Sequence, residues 1–510
     1  MAKKICFCIH GHFYQPPRED PWTGEIENQE SAAPYHDWNE RIYHECYLPN
    51  TKAQVFDEKG NLVKTVNNFE KISFNIGPTL FSWLEAKHRD AYDAIIKADH
   101  LSRSFHQGHG NAIAQVYNHM IMPLANLRDK VTQVKWGIAD FKRRFERVPE
   151  GMWLPETACD EETLEVLIEE GIRFTILAPH QAEAVRPIDS EEWEELRPGA
   201  LDCRMPYRCF LKKNPDKFID LFFYNGMIAR DLAFGDLAFE AKFFADSIER
   251  AKSKERGRSQ IIHVATDGET FGHHKAFGER ALAYLLEVEA PKRGFGIVNY
   301  GEYLEEHPPR YEVRLNEGED GEGTSWSCPH GVKRWKEHCG CRGGGPPEWK
   351  QHWRKPLRKS LSWLRDELTR VYEVYARHFF RNVWAARNDY INLILDSSEG
   401  ARWHFFSKHA KRVLSQEEVN TALRLLEVER YAMLMFTSCG WFFTEISGIE
   451  TVQILRYAAR AIQLTREATH TSFEDEFLYR LSKARSNVGE FKDGRGVYEK
   501  LVKPTFFVRR

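Results

Sequence analysis

Two carboxylates in this chain stand where they could do chemistry. Glu156 closes the stretch Gly151-Met-Trp-Leu-Pro-Glu, and Asp267 opens Asp267-Gly-Glu-Thr-Phe-Gly, directly after Thr266. Each follows an apolar run, so each is expected at the end of a strand. A pair of acids held in this way suits cleavage of the acetal bond between sugars. One stays ionised to attack or steady an oxocarbenium-like centre, while the other keeps a proton for the leaving oxygen. Pro155 keeps Leu154 out of helical geometry, which presents Glu156 at a turn. Gly268 beside Asp267 lets a substrate approach the backbone, and neighbouring acids raise a carboxyl pKa. Glu269 rivals Asp267 for the proton-donor role, and a bare capping role for Asp267 ahead of a helix is the competing reading.

Histidines gather near the same strand ends. His10-Gly-His12, followed by Gln15, places two imidazoles on one side of an extended segment. They could donate hydrogen bonds to sugar hydroxyls, or ligate a metal with Asp267 as third ligand. His106, His109 and His119 punctuate a segment ending in Tyr117-Asn-His-Met-Ile-Met-Pro-Leu, and spacing alone leaves each of them structural. Cys328, Cys339 and Cys341, with His330 and His338 nearby, resemble zinc ligands only loosely because the paired Cys-x-x-Cys spacing is missing. The expected reading there is a packed, cysteine-rich loop over the site.

The elements that must position these residues follow from periodicity. Between residues 4 and about 305, apolar runs at Lys4–Ile9, Ile72–Ile76, Phe174–Ala178, Phe218–Tyr224, Gln260–Ala265 and Gly296–Val298 alternate with helical patterns such as Val131–Phe145 and Glu161–Glu170. That alternation predicts an α/β domain with a largely parallel sheet, and the polar residues after the runs favour a barrel with its site at the strands' carboxyl ends. Residues 307–356 interrupt the pattern with Pro308-Pro309 and Gly343-Gly-Gly-Pro-Pro347. Beyond 357, Leu361, Leu364, Leu368, Val371 and Tyr375 recur at three and four, and Ser415 with Glu418 spells a capping box. The expected domains are therefore a catalytic barrel over 1–306, an irregular connection over 307–356 and an α-helical domain over 357–510.

Composition bounds the rest. With 42% hydrophobic and 29% charged residues, the chain reads as a folded globular protein. A net charge of -3 gives no electrostatic case for nucleic acid, and no apolar stretch reaches the length of a membrane span. The apolar run at the N-terminus is too short for an export signal, and cysteines inside apolar runs (Cys6, Cys8, Cys209) fit a reducing cytoplasm. No cofactor is expected.

With the histidine motif, Trp-Leu-Pro-Glu and Asp-Gly-Glu-x-Phe-Gly in this order, the chain resembles glycoside hydrolase family 57. The resemblance implies a distorted (β/α)7-type barrel followed by a C-terminal α-helical domain, and a retaining two-carboxylate mechanism on α-linked oligo- or polysaccharide, with α-glucan favoured. It makes Glu156 the nucleophile and Asp267 the acid/base, and demotes Glu269 to support. His10, His12, Gln15, His119, Trp153 and His273 join the substrate site by the same resemblance. Trp326, His330 and Trp441 match segments that close over the substrate. The aspartate preceding the tryptophan in many branching enzymes is Gly440 here, and the glutamate near the start of the second motif is absent. The chain most resembles a branch with an extra C-terminal domain, which Val502–Arg510 is expected to leave incomplete. On the residues themselves, two other readings stay open: a metal-dependent hydrolase of the deacetylase or α-mannosidase kind using His-x-His, and a non-catalytic carbohydrate-binding protein.

Overall fold

The computed structural model describes residues 5–253 and 259–506. Met1–Lys4, which include the start of the first apolar run, and the last four residues of the C-terminal segment lie outside that description. The chain divides into two compact units.

The first unit holds Met1–Gln15, Asn28–Gln115 and Phe141–Glu317. Seven strands form its ring: β1 (Cys6–Phe13), β2 (Ser73–Ile76), β3 (Ala114–Gln115), β4 (Met152–Trp153), β5 (Phe174–Leu177), β6 (Asn214–Phe223) and β7 (Ile261–Asp267). β1 lies parallel between β7 and β2, β3 runs parallel to β4, and β5 runs parallel to β6. Parallel bridges Phe74↔Ala112 and Gly151↔Phe174 join β2 to β3 and β4 to β5. The ring closes where Asn225 N–H, just past β6, donates to the carbonyl of His263 on β7 at 2.9 Å. Gly151 is required at one of these joints, because a Cβ there would sit 2.4 Å from the Phe174 ring.

Two features distort the ring. A short strand, β8 (Gly296–Ile297), pairs with the first residues of β1 on the side where β2 pairs further along. In addition, β5 and β6 extend into a six-stranded mixed sheet with Tyr207–Leu211, Tyr311–Leu315, Ala182–Pro187 and Glu194–Glu195. Five of the six predicted runs coincide with β1, β2, β5, β6 and β7, and the sixth with β8. The predicted helix at 161–170 runs Glu161–Glu169, capped by Asp160 and stopped at Gly171, whose φ of +83° suits glycine.

The second unit holds Pro16–Glu27, Val116–Asp140 and Gly318–Arg510. Its long helices are α1 (Arg354–Ala376), α2 (Gln416–Leu434) and α3 (Ile449–Thr469). α1 buries Leu357, Leu361, Leu364, Leu368, Tyr372 and Ala376, each leucine contributing about 1.5–3 kcal/mol of transfer free energy. Val371 and Tyr375, read from sequence as part of that stripe, flank it half-buried. Ser415 and Glu418 form the expected reciprocal cap on α2. The buried Arg387 pairs with Asp129 at 2.9 Å and Glu429 at 2.7 Å. Among the described residues, no helix is long and apolar enough to cross a membrane.

Candidate active site

Strand register brings the candidate residues to one end of the barrel. His12 on β1 is the partner of Asn75 on β2 and of Asp267 on β7, while His10 pairs with Ser73. Side chains of alternating strand residues share a face, so Ser73 and Asn75 meet His10 and His12. Asn75 uses its amide completely: its oxygen accepts from His10 Nε2 at 2.9 Å, and its NH2 donates to His12 Nδ1 at 2.9 Å and to Gln115 Oε1 at 2.6 Å. This assigns the tautomers, with both imidazoles protonated on Nε2. Burial holds both histidines at a pKa of about 3, so both are neutral. His10 Nδ1 lies 3.1 Å from Ser73 Oγ, and both of its nitrogens are thereby spent. A metal held by His10, His12 and Asp267 is not favoured by this arrangement.

Both imidazoles stack on Trp153 with ring centroids 4.9 Å away. Trp153 itself is fully buried. It is a floor for the two histidines.

Glu156 follows β4 in a turn of unusual conformation. Its φ is +57° and that of Thr157 is +49°, two consecutive left-handed residues that are not glycine. Such backbone costs on the order of 1–3 kcal/mol per residue and persists only where neighbours enforce it. Gln181 is the enforcing residue: its Nε2 donates to Thr157 O, and its Oε1 accepts from Thr157 Oγ1 and from Ala178 N–H, each at 2.8 Å. The half-buried Glu156 side chain is thus aimed by a strained turn.

Asp267 ends β7 and makes no capping hydrogen bond to the short helix that follows. Water can reach its carboxylate, yet dense surrounding protein strips much of its solvation. This burial, with the charge of Glu156 adding to it, raises the carboxyl from 3.8 to about 7. Next to it, a Cβ on Gly268 would lie 2.3 Å from the Phe13 ring, so only glycine fits. Glu269 is buried and accepts from Tyr47 Oη at 2.6 Å and Tyr14 N–H at 3.0 Å. Burial pushes it up to about 8, the Tyr47 hydrogen bond pulls against that, and Asp267 adds to the rise.

The other candidates are dispersed. Gln15 Nε2 donates to Tyr14 O. His273 pairs through Nδ1 with Glu45, in a cavity of about 540 Å³ lined also by Arg41, His44, Lys52 and Arg280, a lining that contains neither Glu156 nor Asp267. In the second unit, His119 takes φ +54° and is fixed to Ser438 twice, Nδ1 to Oγ at 2.6 Å and O to N–H at 3.0 Å. Trp326 is half-buried. His330 stands among cysteine sulfurs, 3.6 Å from Cys341 Sγ. Trp441 is fully buried against Phe436, ring centroids 5.9 Å apart. Gly440 has no room for a side chain, because a Cβ would lie 2.6 Å from Ile454 Cδ1.

Sequence reasoning missed Ser73, Asn75, Gln115, Tyr47 and Gln181. A signal existed for the first two: polar residues at alternate positions of the apolar run Ile72-Ser-Phe-Asn-Ile76.

A family model described as glycosyl hydrolase family 57 matches residues 6–316, well over half of the chain. The chain belongs to that family, and it is an enzyme of the glycoside hydrolase class. A second model, "Domain of unknown function (DUF3536)", matches residues 349–509. No curated protein matches the sequence. Among solved structures, the fold is similar to an exo-type maltose-forming amylase from Pyrococcus sp. ST04 (TM-score 0.70, 14% identity, 99% of this chain and 94% of that one). It is also similar to a branching enzyme from Thermococcus kodakaraensis (0.54, 14%, 98% and 95%). A third is a 4-alpha-glucanotransferase from Thermococcus litoralis (0.53, 15%, 91% and 60%). At these identities the similarity speaks for the fold.

Proposed function

We propose that the protein is a retaining α-glycosidase or transglycosylase acting on α-glucan, with Glu156 as nucleophile and Asp267 as acid/base. The observation that carries this reading is the pairing of unlike carboxyls at one barrel end. Asp267 holds its proton up to about pH 7 because of burial and because Glu156 is charged. Asp267 donates that proton to the leaving oxygen as Glu156 Oε attacks the anomeric carbon. Once Glu156 is esterified its charge is gone, so the pKa of Asp267 falls and the group becomes a base. It then takes a proton from water, or from a sugar hydroxyl in transfer, and the attacking oxygen displaces Glu156. Glu269 and Tyr47 hold the Asp267 loop, and the neutral His12, oriented by Asn75, contacts the sugar, while His10, its nitrogens taken up by Ser73 and Asn75, keeps Asn75 in place. The names of the similar structures, a maltose-forming amylase, a branching enzyme and a glucanotransferase, support α-glucan as the substrate class. All ten cysteines stand outside disulfides, which supports a cytoplasmic location.

The test is product analysis with anomeric detection after incubating wild type and Glu156→Gln with maltooligosaccharides, glycogen and α-galactosides. α-Configured or elongated products from wild type alone support the reading. β-Configured products overturn retention, and a trapped complex with carboxyls about 6.5–9.5 Å apart, in place of about 5–5.5 Å, does the same.

A further inference from the structure

The second unit carries a different kind of cluster in its glycine-rich connection. Cys328 Sγ lies 3.9 Å from Cys339 Sγ and 3.8 Å from Cys341 Sγ. His330 Nδ1 lies 4.0 Å from Cys328 Sγ and 3.6 Å from Cys341 Sγ. All four donor atoms fall within 4.8 Å of one another. These spacings are too long for a disulfide, whose sulfurs are about 2.05 Å apart. They are those of a tetrahedron: zinc bonds of about 2.3 Å to sulfur and 2.0–2.1 Å to nitrogen give edges of about 3.6–3.8 Å.

We propose that Cys328, His330, Cys339 and Cys341 bind one zinc ion in a closed Cys3His structural site. Three thiolates and one imidazole are soft and borderline donors suited to zinc, and four protein ligands leave no open position for catalysis. The backbone is shaped for it. Gly331, directly after His330, takes φ +75°, and a Cβ on it would come 2.8 Å from Gly323 O. Gly340, between the two close cysteines, takes φ +85°. These conformations fold the tight Cys-x-His and Cys-x-Cys segments back on each other.

Charge agrees. Three thiolates with Zn²⁺ carry one net negative charge, and two buried guanidiniums stand beside them. Arg354 Nη1 donates to Cys341 O at 3.2 Å, and Arg334 Nη1 donates to Ser327 O at 3.3 Å. Both arginines also donate to Phe442 O, and Arg354 to Phe443 O. Such outer partners orient ligands and offset their charge. The ion would therefore fix the connection through which these two arginines hold the 442–443 backbone.

The test uses the full chain purified without added chelator. Elemental analysis is expected to find one zinc per chain. A mercurial titration should release that zinc as three further thiols react, and replacement by Co²⁺ should give intense thiolate-to-cobalt absorption. Cys341→Ser should lose the zinc, while Cys209→Ser, in the mixed sheet of the first unit, should keep it. The proposal is overturned if reduced wild type dialysed against zinc retains none, if iron occupies the site, if mass spectrometry finds a disulfide among the three cysteines, or if Cys341→Ser binds zinc as wild type does. Should Cys341→Ser fail to fold, the wild-type zinc count and thiol titration decide alone.

Discussion

Histidine occurs in a tight x-spaced motif in two regions, and the two use it in opposite ways. In the barrel, His10-Gly-His12 lies among hydrogen-bonding groups, and Ser73 and Asn75 occupy both nitrogens of His10 while Asn75 fixes His12. In the connection, His330 lies among sulfurs that hydrogen-bond weakly and bind metals well. Judged by spacing, His-x-His with a nearby carboxylate is the stronger metal candidate, and Cys-x-His with Cys-x-Cys the weaker. The surroundings reverse that order. An imidazole becomes a ligand or a hydrogen-bonding wall according to what its neighbours leave it, and neighbours come from distant parts of the chain.

The largest test of the contrast is Glu156→Gln. Turnover is expected to fall on the order of 10⁴-fold while zinc content stays at wild-type level; equal loss of both would contradict the distinct roles of the carboxylates and the cysteines. Next comes Cys341→Ser, measured by thermal unfolding and by activity per folded molecule. The melting temperature should drop by several degrees with the metal gone, and the folded fraction should keep its turnover. Abolished turnover in a folded, zinc-free variant would return the protein to the metal-dependent class. Asn75→Leu leaves His10, His12 and Gln115 short of a partner and should cost about 1–3 kcal/mol for each group left unsatisfied, read by denaturant unfolding, with lower kcat and unchanged zinc.

The pH profile gives a smaller effect. Since Asp267 must donate a proton, kcat/KM should fall as pH rises through about 7, and the neutral histidines should add no limb between pH 5 and 8. The smallest concerns stability. Glu269 holds its proton more tightly folded, at about 8, than unfolded, at 4.5, so its contribution falls as pH rises between those values. Glu269→Gln should flatten that decline in the melting temperature.

The long barrel strands were legible because β1, β5, β6 and β7 are apolar runs of useful length, and the two acids were legible because glycine and proline mark their turns. β3 and β4, two residues each, are too short for any periodicity to reveal. The mixed sheet beyond β6 lay outside the predicted runs, because Tyr207–Leu211 and Ala182–Pro187 interleave buried with more exposed residues. An indole suits a sugar face and a core equally, and packing buries both Trp153 and Trp441. The left-handed turn at Glu156 left no mark in composition, since its support comes from Gln181, some twenty-five residues on.

Gly440 carries a consequence for descent. Ile454 fills the space that an aspartate would need at that position, so no single substitution can restore one there without displacing a branched side chain of α3. A lineage moving toward the acid would have to trim Ile454 first, accepting a cavity before any gain. The two positions form a ratchet: order of change matters, and the present pair is a local end point from which Gly440→Asp alone leads downhill.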